Sequence, residues 1–136
     1  MSFVLLDSAI QNKLAGISAI QAVYNYHAQH FSGFPAATFE PSGHGNEFYT
    51  NTDNFRSYSF DIILHVEMPQ GGRRNAIAVL ETVVDAVVTA FDTDYTLGGV
   101  CDFAIPIPSS WGEYTSGSAT VKYATLTLVL KKEVAV

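Results

Sequence analysis

Charged side chains are scarce in this sequence. Its seven Lys and Arg and 13 Asp and Glu make up 15% of 136 residues, against about 25% in an average soluble domain. Hydrophobic residues reach 48%, and this balance excludes intrinsic disorder, because disordered chains are rich in charge and poor in apolar side chains. So few charges also leave much neutral surface to conceal, which argues against a freely diffusing monomer.

Positive charge, cysteine and long apolar runs are lacking as well. The net charge of −6 opposes a general electrostatic attraction to nucleic acid. Cys101 is the single cysteine, so it has no partner for an internal disulfide or a thiolate metal site. No apolar run approaches the roughly 18 residues of a membrane span, and the N-terminus lacks the basic region and cleavage site of a signal peptide. We therefore expect no membrane contact and a protein that stays where it is made.

Two amphipathic helices are predicted. In the first, apolar residues recur at spacings of four, four and three from Leu6 to Ile17, as on one face of a helix. Asp7 or Ser8 is its expected N-cap, and Gly16 is its expected end. The second helix is predicted at about residues 73–91. Its buried stripe is expected to consist of Ile77, Leu80, Val84, Val87, Val88 and Phe91.

The strongest strand pattern runs from Tyr58 to Glu67, where apolar residues alternate with more polar ones. Residues 20–27 fit either a continuation of the first helix or a strand, and their alternation after a glycine favours the strand. Further strands are predicted at 35–39, in an edge position, and at 101–107 and 119–132. The last is about 14 residues long, far above the usual five or six, so we expect one end to project beyond the sheet.

The order of these elements predicts an α+β fold, with a mostly antiparallel β-sheet flanked by two α-helices in a single domain that spans residues 1–136. Two stretches rich in glycine and polar residues, 42–57 and 109–118, are predicted to be loops. The first is longer than most connections, and such loops tend to be functional or mobile.

The residues that carry catalysis or bind metals do not form a recognisable pattern. The four histidines complete no metal-binding motif. Cys101 has apolar neighbours, which is typical of a buried structural cysteine. Ser109 and Ser110 do not stand in the G-x-S-x-G turn of a hydrolase. We therefore predict no catalytic residue, no metal and no cofactor.

Charge is unevenly distributed along the chain. Every charged residue from Asn75 to Val121 is acidic. Glu81 and Asp85, four residues apart on the second helix, are interpreted either as a solvated face or as a surface kept negative to repel a polyanion. Arg73 and Arg74 lie at the positive end of that helix dipole, which is unfavourable for cations. We expect them to pair with a carboxylate on another element or another subunit.

A series of short motifs follows in order along nearly the whole chain. They are Val23-Tyr24-x-Tyr26, Gly33-Phe34-Pro35-Ala36, Pro41-Ser42, Asn54-x-Arg56-x-Tyr58-x-Phe60-x-Ile62, the helix that carries Asp85, Asp94-Tyr95-x-Leu97-Gly98-Gly99, Pro106, Pro108 and Trp111-Gly112. In this order and spacing, the sequence resembles the tail terminator (tail completion) proteins of long-tailed bacteriophages.

The resemblance implies a structural role. Such proteins are α+β subunits that close into a homohexameric ring on the completed tail tube, stop its polymerisation and offer a docking surface to the head connector. It implies the tail tube protein and a neck protein as partners, DNA that passes through the ring without specific binding, no enzymatic activity, and a place at the tail–neck junction of the virion after assembly in the host cytoplasm.

The resemblance also implies where contacts to neighbouring proteins lie, namely in the two predicted loops and at the arginines. The candidate interface residues are Phe48, Tyr49, Asn54, Arg56, Arg73, Arg74, Trp111 and Tyr114. Glu81 and Asp85 are candidates for an acidic channel wall or a solvent-exposed face. The long final strand, apolar on both faces, is expected to offer an edge to a neighbouring subunit.

Two alternatives remain. The nearer is another neck protein, an adaptor or a stopper on the head side. The farther is a small enzyme or ligand-binding domain with a pocket near His65 or Cys101.

Overall fold

The computed structural model describes residues 2–48, 53–68, 72–117 and 119–135. Two helices and five strands follow in the order α1 (Phe3–Ala15), β1 (Ala22–Tyr24), β2 (Ala36–Phe48), β3 (Asp53–Glu67), α2 (Arg73–Thr93), β4 (Phe103–Ser116) and β5 (Ala119–Ala135). The strands form one sheet in the order β1-β2-β3-β5-β4, in which only the short β1–β2 pair is parallel. The predicted α+β class, with its mostly antiparallel sheet and two helices, is confirmed.

The N-cap of helix α1 lies five or six residues before the predicted caps Asp7 and Ser8. Ser2 is the N-cap, and its hydroxyl accepts a hydrogen bond from the backbone N–H of Leu5 at 3.3 Å. Phe3 holds this first turn on the sheet, because its ring packs edge-on against Tyr58 with 4.6 Å between centroids. The helix ends before Gly16, as predicted.

The core lies between the two helices and one face of the sheet. The alternation predicted for β3 is confirmed, since its even-numbered residues from Tyr58 to Val66 are all buried. Across the strand pair they face Leu126, Leu128 and Leu130 of β5, which are also buried. The buried residues of α2, close to the predicted stripe, are Ala76, Leu80, Val83, Val84, Val87 and Phe91. Ile77 and Val88, predicted to belong to it, are half-buried.

Four predictions about the strands are wrong. The strand predicted at 35–39 is not at an edge, because Ala36, Ala37 and Thr38 of β2 pair with β1 on one side and with β3 on the other. Strand β5 lies between β3 and β4, so it has no free edge. It does not project from the sheet either, because all 15 residues of β3 pair with it. Its two apolar faces reflect this central position. The stretches 42–57 and 109–118, predicted to be loops, lie mostly within the β2–β3 and β4–β5 hairpins. These stretches are rich in glycine and polar residues because they belong to exposed strands that contain β-bulges.

Candidate protein-interaction surface

Both helices lie on one face of the sheet, so the opposite face carries no helix. We call its central part the open face. It consists of Phe55, Ser57, Ser59, Asp61, Ile63, Phe103, Ile105, Ile107, Thr125, Thr127 and Val129. Asp61 is charged, and the strand register places three further charged residues beside members of this set on the same face: Glu40 beside Asp61, Lys131 beside Ser57 and Phe103, and Glu133 beside Phe55. Side chains alternate between the faces of a strand, which places these residues opposite the buried even-numbered residues of β3.

The open face is most apolar toward β4. Ile105 and Ile107 are 43% and 47% exposed, a large fraction for isoleucine. Phe55 and Phe103 approach each other across β5 at 6.1 Å between ring centroids. A surface with exposed isoleucines on long, regular strands is suited to contact with another protein.

Strand β4 is the outer strand on this side of the sheet. Its first half is poorly suited to pairing with a further strand, because Pro106 and Pro108 lack a backbone N–H. A bulge follows between Pro108 and Trp111. In this bulge the Ser109 and Ser110 hydroxyls lie 2.6 Å and 2.8 Å from the Thr125 hydroxyl. Regular pairing with β5 resumes from Trp111 to Ser116, so this second half offers an outer backbone edge without proline.

Of the aromatic residues predicted at an interface, Trp111 is exposed and Tyr114 is not. Trp111 follows the bulge with 43% of its side chain exposed. Tyr114 is half-buried, and its hydroxyl lies 2.8 Å from Nδ1 of His65. Trp111 therefore remains a candidate contact, whereas the phenol of Tyr114 has a partner inside its own chain.

The candidates near the tip of the β2–β3 hairpin are in strands. Phe48 is the last residue of β2 and is paired with Asn54 of β3, whereas Tyr49 lies outside the described residues. Asn54 is 6% exposed and its side-chain oxygen is buried without a hydrogen-bond partner. Arg56 is half-buried and lies opposite Lys132 of β5. Asn54 is therefore buried, in contrast to the exposed loop position expected from the sequence.

The arginines that begin α2 have acidic partners within the chain. Arg73 Nη1 donates to Glu113 Oε1 of β4 at 2.7 Å, which confirms the expected carboxylate on another element. This hydrogen bond holds the pKa of Glu113 below its usual value. Arg74 Nη2 lies 3.2 Å from Glu81 Oε1, which belongs to α2 itself, so the expected partner on another element or subunit is wrong for Arg74. Glu81 and Asp85 are exposed on α2, on the opposite side of the sheet from the open face.

A buried chain of polar side chains at one end of the sheet had no clear signal in the sequence. His65 of β3 is 6% exposed, and its Nε2 lies 3.1 Å from the hydroxyl of Thr38. The same hydroxyl lies 3.1 Å from Nδ1 of His27. Burial, and secondly the charge of His27, lower the pKa of His65 to about 4. The only available signal was that His65 occupies a position where the alternation of β3 places polar residues.

His65 and Cys101, the two residues considered for an enzymatic pocket, are both buried. Burial, followed by the negative charge of Asp102, raises the pKa of the Cys101 thiol to about 11, so it is protonated at neutral pH. Two cavities of about 200 Å³ and 190 Å³ lie on either side of Phe34 and Glu67. Neither His65 nor Cys101 lines them.

Within the described ranges, no three His, Cys, Asp or Glu residues are grouped so that they could hold a metal ion. No helix in this part of the chain is long and apolar enough to cross a membrane. Comparison of the sequence with protein-family models finds no match, and comparison with curated proteins finds none either.

Proposed function

We propose that this protein is a structural subunit of a bacteriophage neck, a tail terminator that forms a homohexameric ring on the completed tail tube. In this role it ends tube polymerisation and offers the docking surface for the head connector. The observation that carries the proposal is the open face, with Ile105 and Ile107 exposed beside the outer edge of β4. The motif order that resembles tail terminators supports the neck as its location.

A closed ring with more than two subunits requires two different surfaces on each subunit. In the proposed ring, the open face and the outer edge of β4 belong to these contact surfaces. The acidic side of α2, with Glu81 and Asp85, lies on the other side of the sheet and faces the channel, where carboxylates repel the phosphates of passing DNA.

The proposal is tested by assembly with the tail tube protein. Purified chain is added to polymerising tubes, and tube length and end caps are measured by electron microscopy. The variant Ile105→Lys/Ile107→Lys places two charges on the open face and is expected to abolish capping while thermal unfolding stays cooperative. The matched control is Val4→Lys, because Val4 is 76% exposed on α1, away from the open face.

Two results would contradict the proposal. The first is tube growth that the wild-type chain leaves unchanged. The second is a particle map with this chain on the head side of the neck, which supports the adaptor or stopper instead. If the lysine variant caps tubes as well as the wild type, the open face takes no part in the contact.

A further inference from the structure

Residues 25–35, between β1 and β2, pack against one end of the sheet. We call them the cover segment. His27 and Phe31 contact Thr38 and His65 on the side of the open face, whereas Phe34 and Pro35 line a cavity with Ala76 and Val79 of α2. Phe31 stacks on His65 with 4.6 Å between ring centroids. The segment holds its own shape partly through Tyr24, whose hydroxyl accepts from the backbone N–H of Ser32 at 2.8 Å. The cover segment is thus a small folded unit that contacts the sheet mainly around His65.

The polar chain at this contact is continuous. Glu40 accepts the backbone N–H of His27 at 3.0 Å. When Nδ1 of His27 accepts from the Thr38 hydroxyl, that hydroxyl accepts from Nε2 of His65, and Nδ1 of His65 accepts from the Tyr114 phenol. When all these bonds run in the opposite direction, both ring nitrogens of His65 again have a partner.

This arrangement leaves no place for a second proton on His65. In the first direction, a hydrogen on Nδ1 would point at the phenol hydrogen of Tyr114 across a contact of only 2.8 Å. The phenol would have to turn away and lose its acceptor. The site is also buried and apolar on one side, where Phe31 packs. Burial of a cationic imidazolium is costly when no counter-charge is adjacent.

The other titratable groups around His65 do not supply that counter-charge. His27 comes from the cover segment, Tyr114 from β4 and Tyr123 from β5, where it pairs with His65 across the strands. Glu40 on β2 is engaged by His27. Glu67, two residues further along β3, is exposed. A proton on His27 adds repulsion, which lowers the pKa of His65 further.

We propose that the chain Tyr114–His65–Thr38–His27 is an acid-sensitive latch that fastens the cover segment to the sheet. While His65 is neutral the segment stays closed. Uptake of a proton by His65 favours an open form in which the segment leaves the sheet, so that Thr38 and His65 become accessible and the open face is extended. This inference concerns the chain alone and does not depend on the neck assignment.

The sign and size of the effect follow from proton linkage. The pKa of His65 is about 4 in the closed form, and an exposed histidine has a pKa of about 6.5. The open form therefore binds the proton more tightly. Between pH 6.5 and pH 4 its equilibrium constant is expected to rise about 80-fold, with a slope close to tenfold per pH unit in the middle of this range.

Hydrogen exchange detected by mass spectrometry measures this opening directly in the full chain. Exchange of peptides from 25–35 is compared at pH 7, 6 and 5, after correction for the intrinsic exchange rate, with that of peptides from α2. We expect opening of 25–35 to rise below pH 6.5, with a slope close to tenfold per pH unit in the middle of the range, while α2 remains more strongly protected. Opening that occurs only together with α2 would overturn the latch, because it reports global unfolding.

Substitutions separate the latch from a purely structural contact. Glutamine in His65→Gln still donates and accepts hydrogen bonds, but it does not titrate. In this variant the opening of residues 25–35, measured by amide hydrogen exchange, is therefore expected to lose its dependence on pH. Tyr114→Phe removes the phenol that opposes protonation, and is expected to move the onset of opening toward neutral pH. His30→Gln is the control, because His30 is exposed in the same segment and lies outside the chain. A full slope in His65→Gln, or its loss in His30→Gln, would overturn the proposal.

Discussion

Gly112 lies under an aromatic ring, and this contact allows a sharp test of how β4 is held to the sheet. In the β4–β5 pair, Gly112 faces Tyr123. A Cβ atom added at Gly112 would lie 2.6 Å from the Tyr123 hydroxyl oxygen and 2.7 Å from Cζ. The Tyr123 ring would have to move, and it lies 6.0 Å from the ring of Tyr114, whose hydroxyl contacts His65.

The expected cost of Gly112→Ala is that of overpacking, about 1–3 kcal/mol of the free energy of unfolding. For a chain of this length, each kcal/mol lost from the free energy of unfolding lowers the melting temperature by about 3–5 °C. Urea denaturation followed by circular dichroism measures it. Gly16→Ala is the matched control, since its nearest atoms lie at 3.5 Å and its φ is −78°. Its effect is expected to stay below about 0.5 kcal/mol.

The contact is isolated by repeating the substitution without the ring. In a Tyr123→Thr background, Gly112→Ala is expected to cost less than about 0.5 kcal/mol, because threonine leaves room for the methyl group. An equal cost in both backgrounds would refute the steric explanation. So would a cost below about 0.5 kcal/mol in the wild-type chain.

Three further predictions concern stability and reactivity. His65 alone should lower the free energy of unfolding by about 3 kcal/mol between pH 6.5 and pH 4, because its folded pKa of about 4 lies below the unfolded value of about 6.5. Urea titrations of the wild type and of His65→Gln at several pH values measure this difference. If the two proteins lose stability in parallel as the pH falls, the prediction is contradicted. Leu128→Ala, at a fully buried position, should cost about 2–5 kcal/mol of the free energy of unfolding in the same assay. Glu113→Gln should cost much less than Leu128→Ala, because its pair with Arg73 is exposed; equal costs would show that the core is placed wrongly. The Cys101 thiol, whose pKa is raised to about 11, should react with iodoacetamide at pH 8 at least tenfold more slowly than in the urea-unfolded chain, and equal rates would contradict its burial.

The elements predicted best from the sequence are those whose burial differs most between their two faces. Strand β3 shows this from Tyr58 to Val66, and α2 shows it along its buried stripe. In both, local periodicity is enough to reveal which side chains enter the core. The α+β class follows from the order of these elements along the chain.

Strand position within the sheet was not predictable, because it depends on contacts between distant segments. Strand β5 is apolar on both faces because it lies between β3 and β4, but the same pattern fits an edge buried by a neighbouring subunit. The hairpin around Asn54 was taken for a loop because Gly43, Gly45 and several polar residues resemble turn signals. In the folded chain Gly45 approaches Ser57 so closely that a Cβ would lie 2.6 Å from its hydroxyl.

The interaction surface was predictable only in part. Scarce charge indicates that neutral surface must be covered, but not which face carries it. The exposure of Ile105 and Ile107 follows from the placement of both helices on the opposite side, which no local pattern reveals. The latch around His65 joins residues that are 27 and 49 positions apart in sequence, so only the three-dimensional fold brings them together.

An electron cryomicroscopy reconstruction of tails assembled with this chain decides whether the protein caps the tube. We predict a sixfold ring of the chain on the head-proximal end of the tube, with the open face against protein and Glu81 and Asp85 of α2 toward the channel. A reconstruction in which tube ends carry no ring of this chain would contradict it.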